Sequence, residues 1–483
     1  MRLRVVQRLL GLLLALFSTT MLPPLIVSLI FADAEWRVFA ESLVIILVSG
    51  LVLWWPARNE RDDLRLRDGF LVVALFWIVL GVFGAAPLLL EESLGLTVTD
   101  AVFESISGLT TTGATVLVGL DTLPPSILFY RQQLQWFGGL GIIVLAVAVL
   151  PMLGVGGMQL YRAETPGPMK DSKLTPKITQ TAKALWYVYL GITVVCALAY
   201  WLAGMTLFDA ICHSFSTVAI GGFSTHDASL GYFDSVLIEA VATVFMLIAG
   251  INFALHFLSW QSRDLKVYFG DPELRAYLKI LAGLCIVVLV YLWWSGYYAS
   301  PFDAVTYGIF QVVSVATTTG FTTTPFDTWP GSLPTLLIFS SFVGGCAGST
   351  AGGMKVVRWL LLYRQGVREI RRLVHPSAEI PVKLGDKAVS ARVVDSVWGF
   401  FAIYVVVLAT LILILMATGM DSASAFAAVA ATLNNLGPGL GEVASGFSSV
   451  SDVAKWASIC AMLLGRLEIF TILVLFTPTF WQR

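Results

Sequence analysis

Apolar residues run over spanning lengths at about residues 9–31, 38–56, 69–90, 126–150, 184–204, 234–258, 277–298, 393–418 and 453–476. A hydrocarbon core about 30 Å thick takes about 20 helical residues to cross, so each run predicts a membrane span. A further apolar segment, 332–363, is interrupted near its middle. From residue 69 onward, each successive pair of spans encloses a shorter stretch that opens on an aspartate (Asp100, Asp209, Asp303 or Asp421) and closes on a glycine loop. The order span, short helix, loop, span thus repeats four times, with the first two spans outside the repeat. The fold expected is an all-α polytopic membrane protein: a two-helix domain over 1–67, then four pseudo-repeats of helix, re-entrant pore helix, filter loop and helix around one pore. Their boundaries fall at 68–164, 165–272, 273–374, whose second helix is broken, and 375–483.

Asp100 to Leu109 rises only about 15 Å as a helix, half a hydrocarbon core, so the segment must enter the membrane and turn back. Backbone without helical bonding survives at that depth only where protein or a water-filled cavity covers it. With an aspartate as N-cap at each outer end, Asp100, Asp209, Asp303 and Asp421 would leave four carbonyl ends converging at the membrane centre. The loops that follow are Thr110-Thr111-Thr112-Gly113-Ala114, Ala219-Ile220-Gly221-Gly222-Phe223, Thr317-Thr318-Thr319-Gly320-Phe321 and Asn434-Asn435-Leu436-Gly437-Pro438. Glycine opens backbone angles closed to other residues and leaves an axis unobstructed, so a ring of loop carbonyls could replace the hydration shell of a monovalent cation. Thr111, Thr112 and Gly113, Ile220, Gly221 and Gly222, Thr318, Thr319 and Gly320, and Asn435, Leu436 and Gly437 are the candidate filter residues. From aspartate to glycine the copies measure 13, 13, 17 and 16 residues, so the ring is expected to be only pseudo-symmetric.

Charge placement tests the layout independently. The chain has 483 residues, 57% hydrophobic and 13% charged, with mean hydropathy +0.82. Its bases cluster at Arg58 to Arg67, Arg162 to Lys183, Arg263 to Lys279 and Lys355 to Arg392, while 68–130, 184–262, 280–354 and 393–454 hold no Lys or Arg. Because bases collect on the cytoplasmic side, all four loops belong on the opposite side and both termini are expected in the cytoplasm. Glu91, Glu92, Asp121, Asp227, Asp327 and Glu442 lie around the loops and favour cations at the mouth. Net charge of −1 gives no basic field for nucleic acid. The apolar run from Leu9 to Phe31 follows Arg2, Arg4 and Arg8 but exceeds a signal core, so it reads as a retained span. Cys196, Cys212, Cys285, Cys346 and Cys460 are singly spaced and read as packing residues. No HExxH, GxSxG or paired His/carboxylate constellation points to an enzyme.

The interruption in 332–363 is Gly344-Gly345-Cys346-Ala347-Gly348-Ser349-Thr350-Ala351-Gly352-Gly353. Each helical glycine costs about 0.8–1 kcal/mol relative to alanine, so a break in mid-membrane beside the pore is expected. The competing reading is a glycine face for close helix packing. A phosphate-binding loop does not fit around Lys355, and no nucleotide site is expected in this chain. Arg466, a charge inside the last span, is either a latch for the glycine-rich segment, a repulsive collar in the pore, or the partner of Glu468. Lys355 either joins it or begins the basic cluster that follows. His213 is expected to pack or hydrogen-bond behind the loops; Glu104 and Asn252 either face water or support them.

On the strings 107–114 and 316–321, the broken span and Arg466, the chain resembles the Trk/Ktr/HKT superfamily of potassium transporters, and within it the TrkH-type membrane subunit of potassium uptake. The resemblance covers nearly the whole chain. It implies that the ion is potassium, both transported and filter-bound, since Gly113, Gly222, Gly320 and Gly437 are all present where sodium-selective plant relatives have serine at the first. It also implies that residues 344–353 form an intramembrane gating loop. Further implications are a bacterial inner-membrane location, a homodimer embedded in lipid, and a cytosolic TrkA-like partner that carries nucleotide-binding domains. The alternatives in function are a proton- or sodium-coupled potassium symporter and a non-selective cation pore.

Overall fold

The structure is a computed structural model that describes residues 2–60, 66–141, 178–385 and 387–482. Among these, six helices are long and apolar enough to cross a membrane, or eight if two sharply bent helix pairs each count as one span. Residues 142–150 of the predicted span 126–150, and Arg162, Lys170, Lys173 and Lys177 of the second basic cluster, lie outside the described residues. An antiparallel pair, Lys383–Leu384 with Lys387–Ala388, is the strand structure among the described residues.

The first two spans pack as one unit. Leu3–Ser18 continues through a 3₁₀ turn into Leu22–Phe31, and Trp36–Trp54 returns beside it. A β-carbon on Gly11 would fall 2.5 Å from the Trp54 nitrogen, and one on Gly50 2.6 Å from the Ala15 nitrogen, so the backbones touch at both places. Such close approach supplies van der Waals contact where lipid leaves no hydrophobic drive between helices.

Four short helices follow the expected rhythm: Val98–Leu109, Leu207–Ala219, Pro301–Ala316 and Ser422–Leu433. Their carboxyl-terminal halves are buried on every side, as expected of helices surrounded by protein rather than lipid. The capping assignment needs correction at three of them. Thr97, Thr206 and Ser300 are the N-caps, and Asp100, Asp209 and Asp303 sit three residues further in. At the first of them the bonding is reciprocal: the Thr97 hydroxyl accepts from the Asp100 N–H while the Asp100 carboxylate accepts from the Thr97 N–H, so the two side chains share the capping. Asp421 alone caps as expected, accepting from the N–H of Ala423 and Ser424. Counted from the true caps, copies one, two and four each take 16 residues to the glycine and the third takes 20. The pseudo-symmetry is therefore closer than the aspartates suggest, with about one extra helical turn in a single copy.

Two runs read as straight spans are bent. Val236–Ala249 and Phe253–Ser262 meet at 90°, and Asp452–Arg466 and Phe470–Phe476 at 105°. At the first bend the Asn252 side chain accepts the Ala254 N–H and starts a new helix. At the second, Glu468 and Ile469 take φ of 54° and 52°, and the Glu468 carboxylate is held by Arg358. The predicted break between Leu333–Ser341 and Val356–Val374 is present.

Candidate functional site

Each short helix ends in the same turn. Thr111, Ile220, Thr318 and Asn435 are left-handed, with φ of 55°, 54°, 68° and 53°. The following N–H bonds the carbonyl five residues back: Thr112 to Ser107, Gly221 to Ser216, Thr319 to Ser314 and Leu436 to Ala431, each at 2.8 Å. This is a Schellman termination, which commonly places glycine at the left-handed position. A β-branched residue there costs about 1–2 kcal/mol, so surrounding structure must hold three of the four turns in place.

Gly113, Gly222, Gly320 and Gly437 are the second left-handed residue of each copy. A β-carbon on Gly113 would lie 2.0 Å from the Gly221 carbonyl oxygen, and one on Gly222 2.0 Å from that of Thr319. On Gly320 it would lie 2.1 Å from the Leu436 oxygen, and on Gly437 2.6 Å from that of Thr112. Every glycine therefore abuts the carbonyl just before the next copy's glycine, and the fourth closes on the first. The four sequence-predicted triplets come together around one ring. Asn435 adds a tie across it, donating to the Thr112 hydroxyl at 2.9 Å.

The glycine-rich segment lies against the base of this ring, bonding three of the copies directly and meeting the first through Arg466. The Thr350 hydroxyl donates to the Val218 carbonyl (2.9 Å), the Gly352 N–H to the Thr318 hydroxyl (2.7 Å), and the Gly353 N–H to the Asn434 carbonyl (3.0 Å). Arg466 completes the set, donating to the Thr111 hydroxyl at 3.0 Å and the Thr350 carbonyl at 3.2 Å, and also to the carbonyls of Gly138 and Gly139. At the far end, Cys346 N–H bonds the Gly250 carbonyl, Gly348 carbonyl accepts from Phe253, and Glu273 Oε1 accepts from the N–H groups of Ala347 (2.7 Å) and Val357 (3.1 Å). Gly344 is required by the fold-back, since a β-carbon would meet the Gly352 oxygen at 2.2 Å. Lys355 also belongs here: its ammonium donates to the carbonyls of Ser349 and Ala351. Glu468 pairs with Arg358 rather than Arg466.

Several groups that hold the ring are ones sequence reasoning passed over. Arg131, inside a predicted span, makes a 2.7 Å ion pair with Glu104, both side chains at most 1% exposed. One turn on, Gln135 donates to the Gly221 carbonyl at 2.6 Å and accepts from Phe223 N–H at 3.0 Å. Lys455 meets Asp100 at 2.7 Å. The available signal was intramembrane charge, which is expensive in lipid and needs a partner. Glu104 supports the loops, and Asn252 forms the bend beside the glycine-rich segment. Among the described residues no group of three or more His, Cys, Asp or Glu is placed to hold a metal.

Outside the spans, His226 links two copies. It bonds Asp121 and lies 3.5 Å from Asp209. Burial opposes its charging, but the two carboxylates outweigh burial and raise the imidazole above its ordinary value. The hydrogen bond from His226 lowers the Asp121 carboxyl. A raised histidine gives stability that is complete below its unfolded pKa and lost as pH rises through the folded one; a lowered carboxylate gives stability lost as pH falls through its folded pKa. The link should be complete between about pH 4 and 6.5 and weaken above. Melting curves of the wild type are expected to drop, as pH rises above about 6.5, by more than those of His226→Gln; parallel curves would show that the link carries no such dependence.

The family model for TrkH, described as cation transport protein, matches residues 35–483. The chain belongs to the TrkH family. It is accordingly a multi-pass transport protein rather than an enzyme. This family member is 59% identical to the Trk system potassium uptake protein TrkH of Vibrio parahaemolyticus, with 100% of both chains covered. It is 57% identical to the Escherichia coli K12 protein of the same name, again over 100% of both, and 44% identical to the Trk system potassium uptake protein TrkG of that strain, over 99% of each. The crystal structure of the potassium transporter TrkH from Vibrio parahaemolyticus superimposes with a TM-score of 0.91 at 57% identity, over 100% of both chains.

Proposed function

We propose that this protein takes up potassium across the bacterial inner membrane through a pore built from the four repeats that follow the two-helix domain 1–67, with both termini cytoplasmic. The observation that carries the reading is the closed ring in which each loop glycine abuts the next copy's carbonyl. Carbonyl oxygens so gathered can strip and replace the water of a monovalent cation. Membership of the TrkH family and the names of the relatives, all potassium uptake proteins, support potassium as the ion.

In this reading residues 344–353 obstruct the pathway beneath the filter, Arg466 and Lys355 pin them there, and opening means breaking their bonds to the four loop bases. The name Trk system supports a multi-component assembly. Here that assembly is a homodimer whose basic cytoplasmic face receives a TrkA-like subunit with nucleotide-binding domains, and the nucleotide controls the obstruction from outside this chain. Rubidium uptake into liposomes holding this chain alone, with the membrane potential clamped, tests the core of the proposal. Uptake that potassium competes with strongly and sodium weakly, and that is indifferent to an imposed pH gradient, is expected. Equal competition by sodium would refute selectivity, and dependence on the proton gradient would make the protein a symporter.

A further inference from the structure

We infer that Glu104 and Arg131 form a buried strut that fixes the spacing of the first two filter loops and thereby sets cation discrimination. The inference rests on the filter reading above. Its starting point is a register the ring makes visible: the residue nine places before the glycine is Glu104 in the first copy, His213 in the second, Gln311 in the third and Ala428 in the fourth. All four are 0% exposed.

The polar members of this set reach the segment leaving their own filter loop. Glu104 accepts from the Thr115 hydroxyl and the Val116 N–H at 3.0 Å. His213 bonds the Ser224 hydroxyl at 2.9 Å through Nε2 and the Asp209 carbonyl at 2.9 Å through Nδ1. Gln311 donates to the Thr324 carbonyl at 3.3 Å. Ala428 has nothing to offer. One structural position thus braces three of the loops, with carboxylate, imidazole and amide in turn, and the carboxylate is bonded in addition to a side chain that reaches the neighbouring loop.

That extension is Arg131. Its Nε binds Glu104, Nη2 donates to the Thr115 hydroxyl at 3.1 Å in the first loop, and Nη1 donates to the Ser224 carbonyl at 3.2 Å in the second. The guanidinium stands 4.2 Å from the Phe223 ring, directly after the Gly222 filter position. Through Ser224 the chain Glu104, Arg131, Ser224, His213 runs continuously behind both loops. A buried pair of this kind adds little net stability, because desolvation consumes the Coulomb term, but a fully bonded one fixes geometry. A ring free to close slightly would fit the smaller sodium ion better. The strut therefore acts by positioning, without touching the ion.

The two roles, stability and positioning, separate in a double variant. Removing one partner strands a buried charge, whereas Glu104→Gln with Arg131→Met removes both. The double variant is expected to fold, and its rubidium-over-sodium discrimination in proteoliposomes to fall between about threefold and tenfold, the effect of a change near 1 kcal/mol. Arg131→Lys, which keeps the charge but replaces the fork with one nitrogen, is expected to fold and to lose discrimination by a smaller factor, and decides the matter if the double variant does not assemble. Gly113→Ser run alongside distinguishes the levels of failure. If it loses discrimination while the folded strut variants keep theirs, the strut inference is overturned and the filter reading stands. If neither loses discrimination, both fall together.

Discussion

Deleting Gly348 to Gly352 should raise basal rubidium flux by at least about tenfold in liposomes that hold this chain without a partner. The deletion removes the bond from Gly352 to Thr318 and, with Thr350, those to Val218 and Arg466. At about 1 kcal/mol net for each, loss of even two exceeds the ~1.4 kcal/mol that separates tenfold populations. The milder Thr350→Val removes one hydroxyl bond and should raise flux by a smaller factor. Flux unchanged in a deletion variant that still elutes as a folded protein would mean that the segment does not obstruct the pathway.

Gly113→Ser should collapse potassium discrimination, by about tenfold or more on the same free-energy scale. The serine β-carbon would fall 2.0 Å from the Gly221 oxygen, and φ at the site is 80°, so the side chain strains its own backbone and displaces the second loop. The displaced atom is a backbone carbonyl held by Gln135, which has no flexible way to yield. Sodium competition against rubidium uptake measures the outcome. Discrimination equal to that of the wild type would remove the first loop from the filter.

What could be read from the chain was whatever has a local chemical cost. Four glycine-ended loops in phase were legible because a re-entrant turn demands left-handed backbone, and the break in 344–353 because so many small residues disfavour a helix. The caps were misread because Thr97 and Asp100 share the task, and an aspartate before an apolar run resembles a cap when its threonine is overlooked. The bend at Gly250 to Asn252 had a local signal in Asn252 as a helix start. The bend at Glu468 and Ile469 had none, since its left-handed pair is held by Arg358, 110 residues away. Arg131 and Lys455 were hidden for a related reason: each is a single charge in an apolar run, and its meaning lies in the carboxylate it meets across the fold. Sequence reveals that such a charge needs a partner, and only the fold says which.

In the proposed filter, carbonyls from four unequal repeats surround one desolvated potassium ion. Anomalous density from crystals grown in thallium or rubidium tests it most directly. The expected result is a peak inside the ring formed by Thr112, Gly221, Thr319 and Leu436. A ring without a peak, in crystals that show the ion bound elsewhere along the protein, would contradict the account.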